Sequence, residues 1–570
     1  MPINLSYSAG EYSTVWRQWL CHNGKWRQNF VKLHALIFTP PNRQSELAHL
    51  GTAILSSGLE RNESVSIPNT RVHNAKSPRR LRNSSGLYKT WFEPAPLSQK
   101  HPTSYPKQHT MSHYTHIING KPASSSSTLD VQNPATQRKI AEVPVATKDQ
   151  LDEAVAAARA ALPAWSAKSQ DERAQVLEQI AGIIQKNISE YKYILVSEQG
   201  KTVSRLANAE MEIGVAIAML LETAKLRVPE KVIIDNEQVR ITERRVPIGV
   251  CAGIAPWNFP VMQAATKIGP ALLAGNTLVL KPSPFTPLTT LRLVKDIQKV
   301  VPPGVINVLS GDDNLGPWIT AHPGIDKVSF TGSTDTGKRV MASASTGLKR
   351  LTLELGGNDP AIILPDVDIV KIVPEMFWAA LINNGQTSKR LYVHEEIYDQ
   401  FRDELAKFAK TVKTGDGTDP ESQLGPVQNL MQYKKVLSFF EDAKANGYKF
   451  VTGGDVNPNP TDGLFIPASF VDNPPEDSKI VREEPFGPIV PLLKWSDETD
   501  VIKRDLVTVE RIAKQIEAGV VCMNEFNPVT PFAAFGGHKE SGIGVENGLN
   551  GLLSYSNIQT LTLKKQPTFV

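Results

Sequence analysis

The chain has 570 residues, which is long enough for two or three domains. Hydrophobic residues make up 41% and charged residues 21%, a globular composition that excludes a wholly disordered chain. Three cysteines, Cys21, Cys251 and Cys522, exclude a disulfide scaffold and a metal site built on several thiolates, so we expect no metal. No apolar run approaches the ~18 residues of a membrane span.

The net charge of +4 belongs to the front of the chain. Residues 1–110 hold 14 basic and 5 acidic side chains, whereas residues 111–570 hold 48 basic and 53 acidic ones. The front shows no helical or strand period, and its basic cluster at Arg79, Arg80 and Arg82 is too short for a nucleic-acid-binding face. We therefore expect no nucleic-acid and no membrane partner.

Three interpretations of residues 1–110 compete. The segment is poor in acidic residues, as mitochondrial presequences are, but its first ten residues are neither basic nor amphipathic. A nucleic-acid-binding tail fits less well, and a disordered extension is favoured. Ordered patterning begins near Met111. A missing signal peptide favours the cytoplasm, with the mitochondrion as the alternative if the front is a real presequence.

The first ordered elements are helices and a short strand. Ile117 and Ile118 precede an Asn-Gly turn, which indicates a strand running into a turn. Thr147-x-x-Gln150 and the corresponding Ser-x-x-Glu motif at residues 169–172 are capping boxes, each followed by apolar residues at helical spacing. These helices are packing elements.

Residues 246–364 alternate between short apolar runs and helical segments. Strands are expected at 246–255, 277–280, 305–309, 327–330 and 351–355, with helices between them. This pattern predicts a doubly wound α/β sheet with parallel strands. Ligands of such sheets bind at the carboxyl ends of the strands.

Turn-forming and polar residues follow four of these strands. They are the motifs Ala-Pro-Trp-Asn-Phe-Pro (255–260), Lys-Pro-Ser (281–283), Thr-Gly-Ser (331–333) and Glu-Leu-Gly-Gly (354–357). Each alone is compatible with a plain strand-to-helix turn, but four in succession indicate a site. Residues 332–338 resemble a phosphate-binding loop, but Arg339 replaces its final Ser or Thr, which disfavours phosphoryl transfer. The Gly-Ser turn can still hold a pyrophosphate on backbone N–H groups.

From about residue 111 to the C-terminus the chain closely resembles the aldehyde dehydrogenase superfamily. The motifs that carry the resemblance appear in the family's order: 255–260, 281–287, 330–333, 353–357, 383–386, 484–488 and 536–544. The resemblance implies oxidation of an aldehyde to a carboxylic acid with NAD or NADP. It also implies a Rossmann-type cofactor domain (111–228 and 248–356), an α/β catalytic domain (357–535) and a small β oligomerisation element (229–247 and 555–570). A homodimer or homotetramer acting on a small aldehyde is expected.

The resemblance also implies roles for single residues. Asn258 looks like the side-chain donor of an oxyanion hole and Glu354 like the general base that activates water. Residues that look like cofactor contacts are Trp257, Lys281, Ser283, Gly332, Ser333, Glu484 and Phe486. For Trp257, packing beside the substrate tunnel and a plain core role are both open.

The nucleophile position departs from the family. The family places a cysteine two residues after a Gly-Gln pair, and this chain has Ser388 there. A thiol with a pKa of ~8.5 ionises readily near neutral pH, whereas a serine hydroxyl needs an adjacent base, and no histidine lies nearby in sequence. We therefore expect impaired aldehyde oxidation. Cys251 and Cys522 lie in other motifs and are expected to be buried and structural.

Two further departures concern a gap and the cofactor. Residues 500–504 run directly into 505–510, where family members carry a further loop and strand, so the sequence puts one catalytic-domain strand in doubt. Pro284 replaces a glutamate that many members use to bind the adenosine ribose, which leaves NAD and NADP both open.

Residues 389–393 also arrive a few residues too early, as though a short piece that contains the cysteine were missing. One hypothesis explains both gaps and the unpatterned front together, namely misplaced intron boundaries with an upstream start. The alternative is a pseudoenzyme or assembly subunit that binds dinucleotide without turnover. A third hypothesis is an esterase that uses Ser388 with Glu354 as its base.

Overall fold

The computed structural model describes residues 34–38, 113–203, 209–496, 506–525 and 529–566. Residues 34–38 and 506–508 are described by their backbone alone. The basic cluster near residue 80, Cys21, Met111 and the gap at 500–504 lie outside the described residues.

The strands are β1 (His34–Phe38), β2 (His116–Ile118), β3 (Lys121–Ala123), β4 (Thr128–Gln132), β5 (Lys139–Pro144), β6 (Lys231–Asp235), β7 (Val239–Pro247), β8 (Val250–Ile254), β9 (Thr277–Lys281), β10 (Ile306–Val308), β11 (Lys327–Thr331), β12 (Arg350–Glu354), β13 (Asp359–Ile363), β14 (Ser388–His394), β15 (Phe450–Thr452), β16 (Ser469–Asp472), β17 (Ile489–Trp495), β18 (Val520–Met523), β19 (Gly542–Ile543) and β20 (Ser556–Lys564).

The α-helices are α1 (Lys148–Ser166), α2 (Gln170–Lys186), α3 (Ile188–Gln199), α4 (Ala209–Lys225), α5 (Pro260–Leu273), α6 (Leu288–Ile297), α7 (Leu315–Ala321), α8 (Thr334–Ser345), α9 (Ile369–Leu381), α10 (Glu395–Ala409), α11 (Leu430–Ala445), α12 (Lys479–Arg482), α13 (Leu506–Ala513) and α14 (Gly548–Leu553).

The predicted α/β sheet is present. Its order is β19-β12-β11-β8-β9-β10-β2-β3, and the five strands from β8 to β12 pair in parallel. Numbered along the chain, those five strands lie in the order 5-4-1-2-3, the Rossmann-type arrangement. Strand β8 is buried along its whole length, as expected for a parallel strand covered on both faces.

Local sequence signals fixed the first helices correctly. Thr147 caps α1 and Ser169 caps α2, and both capping boxes are formed in full. The predicted turn after β2 is also present, with positive φ angles of 50° at Asn119 and 75° at Gly120. The apolar face of α2 packs with α4 and α5 into one large core cluster. Most of the apolar face of α1 packs with β8 and β11 in another cluster.

The second sheet contradicts the expectation that residues 1–110 form no regular element. Its order is β15-β16-β17-β14-β13-β1-β18, so a strand from residues 1–110, expected to be unpatterned, lies inside the sheet. Strand β1 pairs in parallel with β13 on one side and with β18 on the other. A strand between two parallel neighbours needs only a short apolar run, and His-Ala-Leu-Ile-Phe is too short to show a period.

A third sheet joins two distant segments. Strand β20 pairs antiparallel with β7 over nine residues, and β7 pairs with β6. The segments that resemble oligomerisation elements therefore form one sheet. All five residues of β6 are exposed.

No helix in the described ranges is long and apolar enough to cross a membrane. Among the same residues, no group of histidine, cysteine and carboxylate side chains could hold a metal ion.

Candidate active site

The candidate site lies where the strand order of the first sheet reverses. From β8 the chain adds β9 and β10 on one side of the sheet and then β11 and β12 on the other side. The crevice outside the carboxyl ends of strands at such a switch point is where α/β sheets bind ligands. The loop 255–260 and the turn 331–333 follow β8 and β11 directly.

The turn after β11 opens helix α8. The Gly332 N–H donates to the Glu354 carbonyl oxygen at 2.9 Å, which joins the ends of β11 and β12. Ser333 is the N-cap of α8, and its hydroxyl accepts from the N–H of Thr336. The free N–H groups and the positive dipole end of a helix start suit a pyrophosphate.

Two predicted carboxylates lie near this turn. Glu354 ends β12 and is 2% exposed. Glu484 comes from the segment between α12 and β17. A Cβ built on Gly356 would lie 2.7 Å from Glu484 Oε2 and 3.7 Å from Thr334 Oγ1. Glu484 therefore lies at the carboxyl edge of the Rossmann-type sheet, beside the start of α8.

Lys281 is the last residue of β9, and Ser283 follows it at the same edge of the sheet. Burial lowers the pKa of Lys281 to about 8, opposed by the nearby carboxylates of Asp312 and Asp313. Its Nζ makes a long hydrogen bond of 3.5 Å to the Pro282 carbonyl. A buried amine at a strand end is suited to donate to a ligand in the crevice.

The loop that carries Asn258 contacts the turn that precedes Ser388. Asn383 donates from Nδ2 to the Asn258 carbonyl at 2.9 Å and to Gln386 Oε1 at 2.6 Å. Asn383, Asn384 and Gly385 all have positive φ angles, between 50° and 80°. A Cβ on Gly385 would lie 2.1 Å from the Gly487 carbonyl oxygen, so the turn fits closely against the loop after Phe486.

A buried ion pair that the sequence analysis missed supports this turn. Lys201 Nζ donates to Asn383 Oδ1 at 2.6 Å and lies 3.4 Å from Glu212 Oε2, with both charged side chains fully buried. Glu212 Oε1 accepts from the N–H groups of Val261 and Met262 at the start of α5. Burial lowers the pKa of Lys201 to about 8. No local pattern marks this pair, because its members meet through tertiary contacts.

Two aromatic residues border the crevice. Trp257 and Phe486 contact edge to face, with ring centroids 5.5 Å apart. Trp257 is half-buried.

Lys389 also lies among the predicted cofactor contacts. Its Nζ is 3.2 Å from Glu484 Oε1 and 5.6 Å from the Phe486 ring centroid. The sequence does not mark Lys389 as a site residue, because it stands in the run 389–393 that follows Ser388. A charged residue within an otherwise buried strand is the feature of the sequence that could have marked Lys389.

Ser388 is the first residue of β14. It is 4% exposed and pairs with Asp359 of β13. The histidine of the same strand, His394, is six residues away, roughly 20 Å along an extended strand. His394 contacts Trp495 and the Glu396 N–H instead.

Neither described cysteine replaces the nucleophile. Cys251 is fully buried within β8, and Cys522 is 5% exposed within β18. Burial raises the pKa of each thiol to about 12. Both are structural, as the sequence predicted.

Several of the sequence-predicted residues thus lie close together: Glu484 approaches Gly356, Phe486 contacts Trp257, and the Asn258 loop contacts the turn before Ser388. A helix start, a buried amine and a carboxylate facing the sheet edge are the groups that a dinucleotide requires: donors for its phosphates and an acceptor for a ribose. The residues present therefore fit a nicotinamide dinucleotide.

Comparisons with known proteins agree with this description. The sequence model of the Aldehyde dehydrogenase family matches residues 121–561. The chain is 39% identical over 470 residues to the aldehyde dehydrogenase LUC3 of a Fusarium species, an alignment covering 79% of this chain and 99% of that protein.

Solved structures show the same fold. An NADP-dependent enzyme of E. coli superposes with a TM-score of 0.76 at 33% identity, covering 80% of this chain and 99% of that one. The NAD+ complex of an aldehyde dehydrogenase from Bacillus cereus gives 0.75 at 31%, covering 80% and 98%. The chain therefore belongs to the aldehyde dehydrogenase family, whose enzymes oxidise aldehydes with NAD(P).

Proposed function

We propose that this chain binds NAD or NADP in the crevice at the switch point and is impaired in aldehyde oxidation. The observation that carries the cofactor assignment is the position of Glu484, which precedes β17 of the second sheet and approaches Gly356 at the edge of the first. A carboxylate there can accept from a ribose hydroxyl while the start of α8 holds the phosphates. The NAD+ complex of the related Bacillus cereus enzyme supports the same choice.

The other candidate residues contact different parts of the cofactor in this proposal. Lys281 and Ser283 contact the adenosine half, Gly332 and Ser333 the pyrophosphate, and Glu484 with Phe486 and Trp257 the nicotinamide riboside. Bound NAD(P) supplies the acceptor for a hydride. Both cofactors stay open, because Pro284 offers no carboxylate that would repel a 2′-phosphate.

Two residues would act on the aldehyde. The Asn258 amide is the donor that stabilises negative charge on the aldehyde oxygen. Glu354, held at the end of β12, is the base that takes a proton from water.

The impairment follows from Ser388. A buried serine hydroxyl needs an adjacent base to lose its proton, and the histidine of the same strand, His394, lies six residues away. Without covalent attack on the aldehyde, hydride release is slow. The second hypothesis, a non-catalytic cofactor-binding or assembly subunit, is the limiting case in which oxidation is absent.

One set of assays separates the hypotheses. Purified protein is mixed with NAD and a short aliphatic aldehyde, and the absorbance of reduced nicotinamide and the tryptophan fluorescence are recorded. We expect quenching by NAD with little or no reduction. Rapid reduction would contradict the impairment. Hydrolysis of a nitrophenyl ester that is lost in Ser388→Ala would support the esterase instead.

We also propose that the chain forms a homodimer or homotetramer through the sheet β20-β7-β6. The support is the exposure of β6, where Val232, Ile233 and Ile234 are 41–48% exposed, and of Ile558 and Leu563 on β20. Contiguous exposed apolar residues on a sheet favour contact with a second copy.

A further inference from the structure

Lys389 places a positive charge beside Glu484, and the proposed chemistry gives this charge no role. Its side chain is 5% exposed, so it is held inside the protein rather than in solvent. Its Nζ lies 3.2 Å from Glu484 Oε1 and 3.4 Å from the Gln386 carbonyl oxygen. The ammonium group also lies over the Phe486 ring, 5.6 Å from the ring centroid.

The two carboxylate oxygens of Glu484 have different neighbours. Oε1 faces Lys389, whereas Oε2 lies against Gly356 at the edge of the Rossmann-type sheet. The carboxylate is 22% exposed, so a ligand in the crevice can reach it. A ribose hydroxyl that donates to Glu484 therefore meets a carboxylate already paired with an ammonium group.

We infer that Lys389 competes with the nicotinamide riboside for Glu484, so that the chain binds the whole dinucleotide no more tightly than its ADP half. This inference rests on the proposed function, namely dinucleotide binding at the switch point. Both donors make a charge-assisted hydrogen bond to the carboxylate, but the ammonium group adds the attraction of a full positive charge, which a neutral ribose hydroxyl lacks. The positive nicotinamide ring of NAD+ is also repelled by the ammonium group.

The size of the effect follows from the fraction of molecules with the pair open. If the pair is closed in about nine molecules of ten, the apparent affinity for the nicotinamide half falls about tenfold. ADP does not reach Glu484, because it lacks the nicotinamide riboside. Its affinity is therefore independent of Lys389.

Titration calorimetry with NAD+ and with ADP tests the inference on the full chain. In the natural sequence we expect the two dissociation constants to agree within about threefold. Lys389→Met, which keeps the aliphatic stem and removes the charge, should tighten NAD+ binding about tenfold and leave ADP unchanged. Lys389→Arg keeps the charge and should bind NAD+ as weakly as the natural chain.

Lys371→Met is the matched control. Lys371 pairs with Asp368 on the surface, so its loss removes an ion pair outside the crevice. It should change neither dissociation constant, and thermal melts of all variants should confirm that they are folded.

The outcomes are distinct. NAD+ binding more than tenfold tighter than ADP in the natural chain, or no gain in Lys389→Met while Lys389→Arg stays folded, would overturn the inference and leave the proposed cofactor site intact. Absence of binding by both ligands to every folded variant would overturn the proposed function, and the inference with it.

Discussion

At the scale of single residues, the buried histidine of β2 makes the stability of the chain depend on pH. His116 is fully buried, its Nδ1 accepts from the Ser310 N–H at 3.2 Å, and its Nε2 lies 3.1 Å from Ser125 Oγ. Burial lowers its pKa to about 4 from an ordinary value of 6.5. Between those values the unfolded chain binds a proton that the folded chain does not.

The sign of the effect follows from linkage. The unfolded state binds more protons below pH 6.5, so stability falls as the pH drops from 6.5 to 4 and changes little outside that range. The loss is about 3 kcal/mol. Urea unfolding at several pH values should show this slope, and His116→Gln should remove it. Exposed His538→Gln serves as the control, and an unchanged acid slope in His116→Gln would refute the assignment.

The pair Lys201–Glu212 gives a second prediction at this scale. Lys201→Met leaves Glu212 buried without its cation, which costs about 3 kcal/mol of unfolding free energy. The double variant Lys201→Met/Glu212→Gln should recover part of this loss, because no uncompensated charge remains. Urea denaturation measures all three proteins. Additive losses in the double variant would mean that the two side chains do not interact.

At the scale of elements, strand β1 gives the sharpest test of the second sheet. Without it, β13 and β18 would lose their shared neighbour and expose unpaired backbone groups. A chain beginning at Met111 should therefore be less stable by several kcal/mol and aggregate on concentration. A chain beginning at Val31 keeps β1 and should behave as the full chain does.

Urea unfolding and gel filtration distinguish the two truncations. Equal stability of the two chains would show that the second sheet does not need residues 34–38. That result would support the hypothesis of an upstream start, whereas the expected result would make the front of the chain a structural part of the enzyme.

At the scale of the whole molecule, the exposed sheet β20-β7-β6 predicts the oligomeric state. Placing a charge in an apolar contact between copies disfavours association. Val232→Asp with Ile234→Asp should therefore convert an oligomer into a monomer, measured by light scattering after gel filtration. Leu348 is 90% exposed outside this sheet, so Leu348→Asp should leave the mass unchanged. A natural chain that is already monomeric would disprove the proposed interface.

Much of the first sheet could be predicted from the sequence. Strands β9 and β11 were located to within one residue, and both capping boxes form as expected. These signals are local: a buried parallel strand is a continuous apolar run, and a helix cap depends on residues three apart. The second sheet was harder, because β1 pairs with strands more than 300 residues away in sequence.

The sequence by itself determined the family and the set of candidate residues, because the motifs after each strand are contiguous and their order is specific. It also determined that a serine stands at the nucleophile position. Only the tertiary structure decided which charges meet. Lys389 faces Glu484, and Lys201 faces both Glu212 and Asn383, across separations of 11 to 182 residues. Such contacts depend on how two sheets pack together, and no periodicity in the chain encodes that packing.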